Sequence, residues 1–270
     1  MLEYLWMMES VLIAKRLMTP TFMGRSFIFF RQAVHLKHIP KENNQLYFLL
    51  LEFIEKKKSS CPICLATEKS VIDYFDILLY ERVNDPETRR VIDTSMGFCS
   101  KHTALLMRMG DSFGQSMIYR SVLTHIAKTL PSQLPLKKRR IIFPKGIDHK
   151  NSYKNKCPAC DFEKEFEELY LDEFVLGLEK PEFRKSFAQS SGLCIPHFIK
   201  AMEICQKSDT ADFLLDTQLK VIDNLIAELD EFILKFDYRF SNQRMGKEKN
   251  AWKRAARLLA SRHILDDLDQ

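Results

Sequence analysis

Eight residues carry the chemistry that can be read in this 270-residue chain. Cys61-Pro62-Ile63-Cys64 is followed by Cys99-Ser100-Lys101-His102, and Cys157-Pro158-Ala159-Cys160 by Cys194-Ile195-Pro196-His197. Two thiolates separated by two residues can aim at one ion, because proline fixes its φ within the tight turn between them. Cys and His at i and i+3 on the first turn of a helix share a face. Each set supplies three sulfurs and one imidazole nitrogen, the donor complement of a closed tetrahedral Cys3His zinc site. Zinc held by four protein ligands staples a fold and has no open position for activating water. The expected cofactor is therefore Zn2+ at two structural sites. Iron–sulfur is the less favoured alternative, because clusters are usually held by four thiolates.

The elements that position these residues are themselves duplicated. The second CPxC lies 96 residues after the first and the second CxxH 95 after the first. At the same offset of 95, Pro86-Glu87 with Arg89-Arg90 corresponds to Pro181-Glu182 with Arg184-Lys185, Ser95 to Ser190, Gly97 to Gly192 and Met107 to Met202. Two copies of one unit explain this better than a solenoid, which needs more and shorter repeats. Within-repeat ligation follows if each ancestral unit folded with its own ion. Crossed ligation, one copy's CxxC with the other's CxxH, stays open at the level of sequence.

Each unit reads as helix, turn, helix, ligand turn and long helix. Val71, Ile72, Phe75, Leu78 and Leu79 follow helical spacing up to a break at Asn84-Asp85-Pro86. Leu105, Leu106, Met109, Phe113, Met117, Ile118, Val122 and Ile126 predict one helix running to about Leu130. In the second copy Leu215, Leu219, Ile222, Ile226, Leu229, Ile233 and Phe236 alternate steps of four and three. Both stripes are expected to be core faces. Glycine, 8 of 270 residues, is about 3% against a usual share of about 7%, which disfavours glycine-rich phosphate loops and turn-dense β folds. The expected fold is all-α: two pseudo-repeated helical units, each with a Cys3His zinc site, packed as one body.

The boundaries predicted are an N-terminal helical or partly disordered segment over 1–57, repeat 1 over 58–130, a basic linker over 131–155, repeat 2 over 156–240 and a C-terminal basic helix over 241–270. Three methionines in the first eight residues, with Met18 and Met23, suggest a natural start further downstream. The net charge of +5 does not by itself imply a polyanionic partner. Basic residues concentrate in Lys137-Lys138-Arg139-Arg140 and in Arg244, Lys247, Lys249, Lys253, Arg254, Arg257 and Arg262. Both stretches are read first as solvated, with phosphate contacts and stacking by Trp252, Tyr238 and Phe240 as the nucleic-acid alternative. No apolar run is long enough to cross a bilayer, and no basic stretch precedes the first residues as in a signal peptide. Seven cysteines, an odd number, fit a reducing cytoplasmic compartment.

The remaining polar residues are given bland roles. Cys205 is read as a buried small hydrophobe on a helix. His35, His38, His125, His149 and His263 are unassigned, and Glu167-Glu168 and Asp266-Asp267 are read as solvated helix charges. No P-loop, dinucleotide fingerprint, zincin or nucleophile-elbow motif is present. A redox role for CxxC lacks the expected βαβ context.

With Gly97-Phe98-Cys99 and Gly192-Leu193-Cys194 extending the CxxH motifs to GxCxxH, the chain resembles an uncharacterised prokaryotic family with paired CPxC and GxCxxH motifs. That family's C-terminal element is matched by Phe236-Asp237-Tyr238-Arg239 and Trp252-Lys253-Arg254-Ala255. The resemblance covers about residues 58–260 and implies the same ligand positions, but no activity. The function expected is a non-enzymatic interaction or ligand-binding module with an unidentified protein or small-molecule partner. A nucleic-acid-binding zinc protein and an iron–sulfur or thiol redox protein are the alternatives.

Overall fold

Proline and cysteine start most of the helices near the site. The computed structural model describes residues 44–56, 60–133, 157–237, 239 and 244–260, of which the helices are α1 (Asn44–Lys56), α2 (Pro62–Ile77), α3 (Pro86–Thr94), α4 (Ser100–Arg108), α5 (Ser112–Gln133), α6 (Pro158–Gly177), α7 (Pro181–Phe187), α8 (Ile195–Ile204), α9 (Ser208–Leu234) and α10 (Ala251–Ala260). A π-helical turn, Leu78–Arg82, continues α2, and a 3-10 turn, Lys247–Asn250, leads into α10. No strand occurs among the described residues, so the all-α expectation holds. Residues 1–43, the Lys137–Arg140 run, Tyr238, Phe240, Arg262, His35, His38, His149, His263 and Asp266-Asp267 fall outside them.

The long helix expected from Leu105 to Leu130 is two helices. Gly110 takes a φ of +77° between α4 and α5, and Asp111 then accepts a hydrogen bond from the Gly114 N–H at 2.9 Å, starting the second helix. Elsewhere Asp85 caps α3 by accepting from the Thr88 N–H at 2.9 Å, with Pro86 in the first helical position. The arginines shared by the two repeats do the same job in each. Arg89 Nε donates to the Val83 carbonyl and Arg184 Nε to the Leu178 carbonyl, satisfying oxygens that the end of the preceding helix leaves open.

The π turn explains why the repeat offset falls from 96 to 95. Copy 1 has one more residue than copy 2 between its CPxC and its GxCxxH. A π turn holds an extra residue without breaking the helix. Leu78–Arg82 adopts it in copy 1, whereas α6 runs as regular α-helix to Gly177 in copy 2.

α2 and α6, the first helices of the two copies, pack against each other in antiparallel fashion. Tyr74 meets Phe162 at 4.8 Å between ring centroids, and Ser70 Oγ lies 2.7 Å from the Tyr170 hydroxyl, so residue numbers run in opposite senses along the contact. The crossing exchanges the helix ends between two cores. Ile63, Cys64, Leu65 and Ala66 from the start of α2 are buried with Phe174, Phe183, Phe187, Leu193 and Leu214 of copy 2. Cys157 and Ala159 from the start of α6 are buried with Phe75, Ile92, Leu106 and Ile118 of copy 1. Each such large apolar side chain contributes about 1.5–3 kcal/mol by leaving water. Neither copy buries its own first helix start.

One expected core face is at the surface. On α9 the buried positions are Thr210, Leu214, Thr217, Gln218 and Leu225, while Leu215, Leu219, Ile226 and Ile233, with Phe236 just past its end, are exposed and Ile222 and Leu229 half-buried. The regular spacing of four and three is real, but most of the residues that carry it face away from the body.

Candidate metal centres

Four helix N-termini build the two sites. Cys61, Cys99, Cys157 and Cys194 each occupy the N-cap of a helix in extended or near-extended backbone, and Cys64, His102, Cys160 and His197 follow at the third helical position. The positive end of a helix favours thiolate over thiol. Two such ends meet at each site, where they offset the negative charge of three thiolates.

The eight predicted ligands come together in two groups, and the groups are crossed. Cys61 and Cys64 join Cys194 and His197, whereas Cys99 and His102 join Cys157 and Cys160. The expectation of within-repeat ligation is therefore corrected: each site takes its CPxC from one copy and its GxCxxH from the other. The antiparallel packing of α2 on α6 is the physical reason, since it carries each CPxC into the opposite copy's core.

The distances within each group fit one ion. In the first site His197 Nδ1 lies 3.4, 3.3 and 3.1 Å from the sulfurs of Cys61, Cys64 and Cys194, and the Cys64 and Cys194 sulfurs are 3.7 Å apart. In the second, His102 Nδ1 lies 3.3, 3.5 and 3.3 Å from Cys99, Cys157 and Cys160, with 3.6 Å between the Cys99 and Cys160 sulfurs. Bonds of about 2.3 Å to sulfur and 2.0–2.1 Å to nitrogen give tetrahedral edges of about 3.8 Å between sulfurs and about 3.6 Å between sulfur and nitrogen. These spacings are far longer than a disulfide bond of about 2.05 Å, and all seven cysteines are free. Both groups can hold a metal ion.

The outer nitrogens of the two histidines face carboxylates that the sequence reading passed over. His197 Nε2 is 2.6 Å from Glu167 Oε1, which also accepts from Lys200 Nζ at 2.7 Å. His102 Nε2 is fully buried and 3.3 Å from Glu163 Oε2. Glu163 in turn pairs with Lys101. Glu163 and Glu167 are one turn apart on α6, so this helix serves both sites. The reading of Glu167 as a solvated charge is corrected: its side chain is largely covered, and it orients a ligand. The spacing of Glu163 and Glu167 was the available signal, but it gains meaning only once α6 is known to lie beneath both histidines.

Proton affinities at the two sites follow from these contacts. Hydrogen bonding to His197, assisted by Lys200 and opposed by burial, holds the Glu167 carboxyl at about 2. Burial acts to lower His197, but Cys194, Cys61, Cys64 and Glu167 outweigh it and raise it well above the ordinary histidine value. At the second site burial likewise acts to lower His102, yet Cys157 and Glu163 hold it at about 9. Burial would raise Cys157, but His102 and neighbouring backbone hydrogen bonds bring it to about 6, while burial and the adjoining sulfurs push Cys160 upward. The sites also differ in cover. All four ligands of the first are buried, whereas Cys99 and Cys160 of the second are half-buried.

The loop before the first site's GxCxxH helix is held by a residue that sequence reasoning missed. Gln218 accepts from the Leu193 N–H at 3.0 Å and donates to the Leu193 carbonyl at 2.9 Å. Gly192 has a φ of +71°, and a Cβ there would lie 2.7 Å from Gln218 Oε1. The glycine shared by the repeats is thus required by the turn that delivers Cys194. Cys205 is corrected too: it is half-buried in extended backbone at the end of α8, with its Sγ 3.6 Å from the Lys207 carbonyl.

No solved structure matches the chain. An uncharacterised 23.9 kDa protein from the xynA 3′ region of Caldicellulosiruptor sp. (strain Rt8B.4) is 28% identical over 185 residues, covering 68% of this chain and 85% of that protein. The profile of a family of unknown function, DUF6062, matches residues 43–266, which include every ligand of both sites. On that match the chain belongs to the DUF6062 family.

Proposed function

We propose that the protein is a zinc-stapled helical interaction module without catalytic activity at its metals. The carrying observation is the pair of crossed Cys3His groups with the edge lengths of a single tetrahedral ion. Three sulfurs and one nitrogen are a donor set suited to zinc, and they leave no position for substrate. A polynuclear cluster would spread its ligands over more than one metal, so four donor atoms that all lie within 4.8 Å of one another favour a mononuclear ion over iron–sulfur. Each ion would join one helix start from each copy and so lock the two halves into one body.

Among the described residues no helix is long and apolar enough to cross a membrane. Six metal thiolates fit a reducing compartment, and we place the protein in the cytoplasm. Elemental analysis with an absorption spectrum tests the metal assignment on protein purified without chelator. About two zinc per chain and no visible absorption are expected from two closed sites. Iron with sulfide would overturn the reading.

A further inference from the structure

The exposed seam of α9 has the pattern of one strand of a coiled coil. Its alternating steps of four and three are a heptad repeat in which Leu219, Ile226 and Ile233 occupy a and Leu215, Ile222 and Leu229 occupy d. A strict seven-residue repeat keeps its stripe facing one neighbouring helix, whereas the wall of a globular core needs only the looser helical period. Yet Leu219, Ile226 and Ile233 are 47%, 51% and 66% exposed. An apolar run of this length on a solvent face marks an interaction surface.

The flanks of the seam decide what it fits. Asp216, Asp223 and Asp230 recur at every e position, all exposed, and none has a charged or hydrogen-bonding partner among the described residues. On the opposite flank the g positions Gln218 and Leu225 are buried against the protein's own body. Between Leu215 and Leu234 the helix carries five acids and one base, Lys220. A second copy fits poorly: antiparallel pairing sets aspartate against aspartate, and parallel pairing sets each aspartate row against the covered g flank. An anionic bilayer would be repelled by the same row.

We propose that α9 docks an amphipathic helix of a partner protein whose apolar seam is flanked by lysine or arginine. Apolar knobs would cover the a and d residues while the partner's cations face the aspartate row, which sets partner choice as e and g charges do in coiled coils. The inference rests on the interaction-module reading and names the partner's chemistry.

The test uses the full chain, zinc-loaded, and two labelled synthetic helices of about four heptads with leucine at a and d, one carrying Lys and the other Glu at e and g. The Lys helix is expected to bind at least about tenfold more tightly, and Leu219→Asp or Ile226→Asp to weaken that binding at least about tenfold. Attraction by bulk charge alone would instead be strengthened by the added acid. Both positions are exposed, so the variants should retain their zinc and melting temperature. Changing Asp216, Asp223 and Asp230 together to Asn should erase most of the preference for Lys over Glu. Equal binding of both helices, binding of neither, or indifference to Ile226→Asp overturns the proposal. So does a dimer in light scattering that Ile226→Asp converts to monomer, which would assign the seam to a second copy. Zinc content is read separately, so failure here with about two zinc per chain removes this partner and leaves the metal assignment standing.

Discussion

The sulfurs of Cys64 and Cys194, 130 residues apart in sequence, lie 3.7 Å apart, while each is separated from the ligand motif of its own repeat. Paired substitutions can read this crossing directly. Cys64→Ser with Cys194→Ser damages one site and should leave about one zinc per chain. Cys64→Ser with Cys99→Ser, two changes in the same repeat, damages both and should leave close to none. Ligation within repeats predicts the reverse pattern, and native mass spectrometry distinguishes them.

Glu167→Gln keeps the ligands but replaces a carboxylate facing His197 Nε2 with an amide. Loss of such an outer partner commonly costs about 10–100-fold in metal affinity. Competition against a chromogenic chelator should show that loss at one of the two sites only.

The two ions should leave at different rates. Cys99 and Cys160 are half-buried, whereas every ligand of the other site is buried. Chelator at constant pH should therefore remove zinc in two phases. A thiol label in limiting amount should first mark Cys99 or Cys160 among the ligands, a position readable by peptide mapping.

Gly192→Ala should destabilise the protein by about 1–3 kcal/mol, the usual cost of forcing a side chain into a sparsely populated backbone region. The added Cβ also crowds Gln218 Oε1 at 2.7 Å. Gly97→Ala tests the contribution of crowding, because its φ is +92° but the nearest atom to a new Cβ is Val122 Cγ1 at 3.7 Å. Urea unfolding of zinc-loaded protein should rank Gly192→Ala as the more damaging change.

Burial, with Glu168 nearby, raises the Glu165 carboxyl to about 7. The folded protein then holds this proton more tightly than the unfolded chain, whose glutamate titrates at about 4.3. Stability from this group is greatest below that value and declines as pH rises toward about 7. Glu165→Gln should accordingly raise the urea midpoint of the zinc-loaded protein relative to the wild type, and by more at pH 8 than at pH 6.

Sequence carried the ligands and the duplication because both are local patterns. Proline at the first helical position and Cys or His three residues after the cap define a helix start without reference to anything distant. Pairing between sites was not legible in this way. It depends on α2 crossing α6, and the residues that cement the crossing, Ser70 with Tyr170 and Tyr74 with Phe162, have no motif of their own. Glu163 and Glu167 were hidden for the same reason, since a carboxylate on a helix looks solvated until a histidine from another element lies over it. The α9 stripe shows the complementary limit: periodicity reveals that an apolar face exists, but not whether the monomer covers it.

The exchange of helix ends also says what a single unit would lack. A chain carrying one copy would possess one CPxC and one GxCxxH, and in this architecture these belong to different sites. It could complete a site only by meeting a second molecule, and its folding would depend on protein concentration. Duplication on one chain replaces that encounter with a high local concentration fixed by the connection. The fused protein therefore keeps the interlocked form of a symmetric dimer while its assembly no longer weakens on dilution, and the two halves remain free to diverge, as the extra π-turn residue in copy 1 and the Gln218 clasp in copy 2 already show.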